Sequence, residues 1–171
     1  QCRERSRSQD ELLSVVKGFR KRQIPLDNIV QDWFYWKEDQ WGSHDFDSTR
    51  FPDPGGMVQT LHNDLHTRIM ISVWPKFYVG TRHYDEFKSQ GWLYMRNIDK
   101  QQKDWVGPGY VSTFYDPYSK EARDLFWTQI NEKLFSKGFD AWWLDSTEPD
   151  IQSNMSLPET MLRQHPTALG S

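Results

Sequence analysis

The amino-acid sequence predicts an α/β protein of the (β/α)8 TIM-barrel class, and three observations lead there. Short apolar segments near residues 29–30, 68–74 and 139–144 are separated by stretches of helical periodicity, the pattern of parallel βα units. The last segment, Gly138 to Leu144, runs abruptly into Asp145-Ser146-Thr147-Glu148-Pro149-Asp150, where three acids and two hydroxyls stand within six residues. A strand that ends in carboxylates is how a barrel of this class presents polar groups at the C-terminal face of its sheet. An open doubly wound sheet would carry a glycine-rich phosphate turn after its first strand. Gly55-Gly56 stands alone before a helical stretch and lacks that context.

Each element has a local cause. Ser8-Gln9-Asp10-Glu11 has capping-box spacing, and Leu12, Leu13, Val15, Val16 and Phe19 follow at helical intervals. Arg20-Lys21-Arg22 complements the C-terminal end of that helix, and Pro25 is expected to stop it. Ile29-Val30 leads a short strand into Asp32-Trp33-Phe34-Tyr35-Trp36. A polar loop carrying Trp41, Asp45, Asp47 and Asp53 runs from Lys37 to about Pro54. Met57, Val58, Leu61 and Leu65 mark the next helix, and Arg68 to Trp74 the next strand. Residues 75–118 read as a long loop with a short helix near Tyr84 to Ser89, a length that is uncommon unless the loop builds a site. Ser119 is placed to cap a helix whose inner face is Ala122, Leu125, Phe126, Ile130 and Leu134, with Gly138 as its stop. In the final strand Trp142 and Trp143 alternate, so one faces the sheet interior and the other the helix layer. The sequence leaves open which is which.

A chain of 171 residues ordinarily makes one domain. Its 21 basic and 24 acidic residues leave a net charge of −3, which argues against nucleic acid or an anionic membrane surface as a partner. Cys2 is the only cysteine, so no intrachain disulfide forms. The unusual quantity is aromatic content, 15% with nine Trp. Some of these rings fill a core. Others stand beside strand-terminal acids, where a flat apolar face and a carboxylate together suit a sugar ring.

Trp143-Leu144-Asp145-Ser146-Thr147-Glu148 resembles the nucleophile signature of glycoside hydrolase family 31, a Trp-x-Asp-x-x-Glu pattern at the end of the fourth barrel strand. The following Pro149-Asp150 is similar to bacterial α-xylosidases of that family. The resemblance spans nearly the whole chain, with Cys2-Arg3-Glu4-Arg5, Leu26 to Trp33, and Ile69 to Pro75 matching the first three strand ends in order. It implies that residues 1–171 are the N-terminal half of a catalytic barrel, roughly strands 1 to 4, with no complete second domain. The remainder of the barrel and the acid/base carboxyl group are then expected beyond Ser171, and the isolated chain is expected to be inactive.

The resemblance also implies a role for each site residue. Asp145 is the nucleophile of a double displacement, and Glu148 a hydrogen-bonding partner beside it. Asp32 holds sugar hydroxyls, while Trp33, Phe34, Trp74, Lys76 and Trp143 line the substrate site. Pro75-Lys76 departs from the Asn-Pro pair that more often follows the family's Trp. Arg3 and Glu4 either contact substrate or pair with each other. The implied reaction is release of terminal non-reducing α-linked xylose from xyloglucan-type oligosaccharides. An α-glucosidase or α-transglycosylase of the same family is the alternative enzyme, and a Trp-rich carbohydrate-binding protein the alternative outside catalysis. No cofactor is implied. His62 and His66 have i, i+4 spacing but lack a His-Glu-x-x-His context, and Asp45, Asp47 and Asp53 lack the Gly and Glu of a calcium loop, so no metal is expected.

Overall fold

Ser8 opens helix α1 (Gln9–Lys21), its hydroxyl oxygen accepting the Glu11 N–H at 3.2 Å. The computed structural model describes residues 6–145. The helix stops at Arg22, and Gln23 turns the chain with φ at +56°, before Pro25 is reached. Arg20 does more than complement the helix dipole. Its guanidinium donates to the carbonyls of Leu26 at 2.6 Å and Leu65 at 2.8 Å, and to the Thr67 hydroxyl at 2.7 Å. One side chain thus ties the segments entering the first two strands.

The elements that follow are β1 (Asn28–Gln31), α2 (Pro54–Gln59), β2 (Arg68–Val73), β3 (Lys76–Tyr78), α3 (Arg82–Ser89), α4 (Met95–Asp99), β4 (Ser112–Phe114), α5 (Lys120–Lys133) and β5 (Ala141–Leu144). Asp53 caps α2 by accepting the Gly56 N–H at 2.8 Å. The helix expected over Met57 to Leu65 is α-helical only to Gln59 and continues as a π-helical turn over Thr60–Asp64. Ser119 caps α5 through the Ala122 N–H, and Gly138 ends the following 3-10 turn with φ at +96°, as expected.

Two compact units organise these elements. The first comprises described residues 6–37, 44–73 and 130–144, the second 38–43, 74–129 and 145. The first unit holds a parallel sheet of order β1-β2-β5. Gln31 pairs with Ile71 and Ile71 with Trp142, so these three share one face. The Phe135 ring lies 6.4 Å from that of Trp142, which identifies this face as the one turned to the helical layer. Ile29, Ile69, Ile71 and Val73 lie on it and are buried. By alternation Val30, Met70, Ser72 and Trp143 point the other way.

The second unit contains residues 75–118, where a long loop is expected and the structure adds β3, α4 and β4 to the short helix. β3 and β4 pair antiparallel, with Phe77 opposite Thr113, and α3 and α4 lie between them. Strands of three residues are too short to show alternation. They are held instead by a non-local ring cluster: Phe77 is 4.9 Å from Phe87, and Tyr115 is 5.2 Å from Phe87 and 4.9 Å from Phe126. Gly42, with φ at +89°, is needed because a Cβ there would stand 2.6 Å from the Lys76 carbonyl oxygen. Both sheets are open within the described residues. The barrel class is therefore represented by three parallel strands, and Cys2 to Arg5, where a further strand end is expected, lies outside them.

At the centre of the second unit Asp104 forms an ion pair with Lys76 Nζ at 2.9 Å and accepts hydrogen bonds from the Tyr78 hydroxyl, Val106 N at 3.2 Å and Tyr110 N at 3.1 Å. Removing one member of a buried ion pair strands the other charge. Asp104→Ala is accordingly expected to destabilise the protein by about 3–5 kcal/mol. Urea denaturation checks this, and a loss below about 1 kcal/mol would show that the buried pair is not fully desolvated.

Candidate active site

The three parallel strands present their C-terminal ends at one edge, and the chain leaves that edge through Asp32, Trp74 and Asp145. Continuing the register one residue past Gln31 sets Asp32 level with Ser72 and Trp143, on the face away from the helices. Asp145 follows Leu144, and continuing the strand alternation one residue past its end gives it the parity of Trp143. The question the sequence left open is answered: Trp142 meets the helical layer and Trp143, 37% exposed, turns to the open face. Asp140 occupies the opposite edge. Its carboxylate accepts the Ile69 N–H at 2.8 Å and contacts His62 Nε2 at 2.7 Å. That acid pins the start of β5 rather than entering the C-terminal edge.

Asp32 is half-buried, and its Oδ1 accepts the Trp33 N–H at 2.8 Å. The aromatic run behind it is sharply folded. Phe34 adopts φ of +69°, a conformation that costs a non-glycine residue about 1–3 kcal/mol unless its surroundings hold it. Arg50 supplies the hold. Its Nη1 donates to the Phe34 carbonyl at 2.8 Å, Nη2 donates to the Trp36 carbonyl, and the guanidinium lies 5.1 Å from the Phe34 ring centroid. Trp33 packs edge-on against Phe34 at 5.4 Å. Asp47 in turn fixes Arg50 through a 3.0 Å ion pair. The Thr49 hydroxyl bond, ahead of the bond from Arg50, holds the Asp47 carboxyl below its ordinary pKa. No spacing rule links Arg50 to Phe34, so the sequence reading missed this clamp.

Trp74 and Lys76 lie in the second unit. Trp74 packs edge-on against Trp41 at 4.9 Å, and Trp41 is fully buried. Lys76 is 1% exposed: its ammonium stands 4.2 Å from the Trp41 ring centroid and 2.9 Å from Asp104. The side chain expected at the substrate thus lies under the Trp41–Trp74 pair. Burial, followed by the bond to the Asp104 carboxylate, pushes the Tyr78 phenol far above its ordinary pKa, so this hydroxyl stays a donor. Trp41 was visible in the sequence as one of several loop tryptophans, but nothing marked it as the ring beneath Trp74.

The acids considered for calcium are each otherwise engaged. Asp45 pairs with Lys133 at 2.7 Å, Asp47 with Arg50, and Asp53 caps α2. Glu148, Arg3, Glu4 and Asp150 lie outside the described residues. Among the described residues no helix is long and apolar enough to cross a membrane.

Comparison with known proteins identifies relatives of this chain. The Glycosyl hydrolases family 31 TIM-barrel domain matches residues 1–169. An α-xylosidase of Saccharolobus solfataricus is 38% identical over 150 residues, covering 88% of this chain and 18% of that protein. The crystal structure of a family 31 α-xylosidase from Xanthomonas citri superposes with a TM-score of 0.91 at 55% identity, covering 98% of this chain and 18% of that one. A family 31 α-xylosidase from a soil metagenome, solved with xylose, gives a TM-score of 0.71 at 30% identity over 85% of this chain and 21% of its own. This chain spans about a fifth of the length of these relatives.

The Asp47–Arg50 clamp makes a pH-dependent contribution of definite sign. A carboxyl whose folded pKa is lowered stabilises the fold above its unfolded pKa, and the contribution is lost as pH falls through the folded value. Asp47→Asn is expected to be less stable than the native protein at pH 7, with the gap narrowing as pH drops below the ordinary carboxylate range. Thermal melts across that range check it. A gap constant from neutral to acid pH would mean that Asp47 acts through shape alone.

Proposed function

The chain belongs to glycoside hydrolase family 31, and on that premise we propose that the protein is a retaining α-glycosidase of the α-xylosidase type. In this reading β1, β2 and β5 are barrel strands two to four, the chain is the N-terminal half of the catalytic domain, and the second half completes the site. What supports the reading is that Asp145 directly follows the last residue of a parallel strand, where continued alternation would put it on the side of Trp143, opposite Trp142. Terminal α-linked xylose is the proposed sugar, supported by the similarity to α-xylosidases, and a xyloglucan-type oligosaccharide is its proposed carrier.

The chemistry follows from two carboxyl groups about 5 to 5.5 Å apart, as retaining glycosidases require. Asp145 attacks the anomeric carbon while a second carboxyl group, proposed to come from the other half of the barrel, protonates the departing oxygen. Water then takes the sugar from the Asp145 ester with that second group acting as base. Asp32 orients the terminal sugar through its hydroxyls, Glu148 assists beside Asp145, and Trp143, Trp33 and Phe34 wall the ring. Lys76 is assigned here a supporting part, fixing Trp41 beneath Trp74 rather than touching sugar.

Kinetics of the protein with its complete barrel test this. Hydrolysis of nitrophenyl α-xyloside is expected with higher kcat/KM than of the α-glucoside. Asp145→Ala should lower kcat by on the order of 10⁴-fold or more, as loss of a nucleophile does. Asp32→Asn should lower kcat/KM by about 10–150-fold, the equivalent of one charged hydrogen bond. Hydrolysis that survives Asp145→Ala, or normal kcat/KM in Asp32→Asn, would remove that residue from its role. An α-glucoside preference would reassign the substrate.

A further inference from the structure

A cavity in the second unit is not used by the proposed reaction. It has a volume of about 600 Å³, inside the roughly 300–1,000 Å³ of small-molecule sites. Tyr78, Tyr84 and Tyr110 line it together with Asp39, Lys88 and Gln101. The Tyr78 and Tyr110 rings stack at 4.9 Å with 24° between their planes. Both are fixed before any ligand arrives. Tyr78 donates to the buried Asp104, and the Tyr110 hydroxyl donates to Glu38 at 2.8 Å. Tyr78 and Tyr84 are each 1% exposed, so the half-buried Tyr110, backed by Tyr78, is the ring that offers a face to a ligand, and the Tyr84 hydroxyl has no hydrogen-bond partner among the described residues.

This combination selects a ligand class. A pyranose presents apolar C–H faces to aromatic rings and hydroxyl edges to planar acceptors and amides. Asp39 and Lys88 bring one negative and one positive charge, so the rim favours neither an anion nor a cation. Gln101 adds an amide that both donates and accepts. The preset tyrosines lose little freedom on binding. We propose that this cavity binds a neutral saccharide, apart from the catalytic step. The choice of a xylose-bearing glucan as probe rests on the glycosidase reading; the binding itself does not.

Affinity electrophoresis through a gel containing soluble xyloglucan tests the proposal. The protein with its complete barrel is used, in an Asp145→Ala background so that the polymer is not trimmed. Asp39, Lys88 and Gln101 are exposed, so a triple alanine variant should fold normally, and Val79→Trp fills the cavity from an exposed position. Retardation of the parent is expected, with the apparent affinity falling about fivefold or more in both variants, as loss of two or three hydrogen bonds implies. In the native background the same changes should leave nitrophenyl α-xyloside hydrolysis within about twofold. A rise in KM for a xyloglucan oligosaccharide would place substrate and cavity ligand on one chain, and an unchanged KM would place them on two. Equal retardation of parent and variants, or no retardation of the parent, overturns the proposal. Loss of retardation in a protein that hydrolyses no α-glycoside would overturn the glycosidase reading and leave the cavity assignment standing.

Discussion

The parallel register of β1, β2 and β5 is the constraint on which the rest depends. Side chains alternate along a strand, so a slip of one residue would send Trp143 and Asp145 to the helix side and Trp142 to the open side. Asp140 guards against that slip. Its backbone N–H donates to the Ile69 carbonyl at 3.0 Å while its carboxylate accepts the Ile69 N–H at 2.8 Å, and His62 holds the carboxylate from the side. An acid at the start of the strand therefore sets the position of an acid at its end. The helical layer reinforces the choice by burying Ile29, Ile69, Ile71 and Val73, whose exposure on the opposite face would be costly.

Each of the two units has its own kind of rigidity. Around Phe34 the backbone is held in a conformation it would not choose, and Arg50 holds it with two carbonyl bonds and its guanidinium near the ring. Around Trp41 the rigidity is electrostatic. A buried carboxylate pairs with an ammonium and accepts from a phenol, and the ammonium stands 4.2 Å from the indole centroid. A hydrophobic replacement of such a triad need not weaken a fold, so its value here lies in fixing where one ring sits.

What the sequence disclosed and what it hid divide along locality. The cap at Ser8, the stop at Gly138, the strand over Arg68 to Val73 and the abrupt acids after Leu144 all follow from neighbours within a few residues. Arg50, Asp104 and the β3–β4 pair depend on partners 14 to 38 residues away, and nothing in their immediate surroundings announces them. Lys76 shows the hazard most clearly. The family resemblance implies a substrate contact for it, and the fold turns it inward onto Asp104. Only the packing showed which way Lys76 turns.

A mechanism-based label tests the central claim most directly. An activated fluoro-α-xyloside that forms the glycosyl ester but delays its hydrolysis would be reacted with the protein carrying its complete barrel, and the modified residue mapped by peptide fragmentation. Cleavage after Lys137 leaves Asp140 and Asp145 on one peptide, so the fragments must separate them. The account requires a single label on Asp145, blocked by prior binding of xylose. A label on Asp140 or Asp150, or turnover of the reagent with no ester formed, would contradict it.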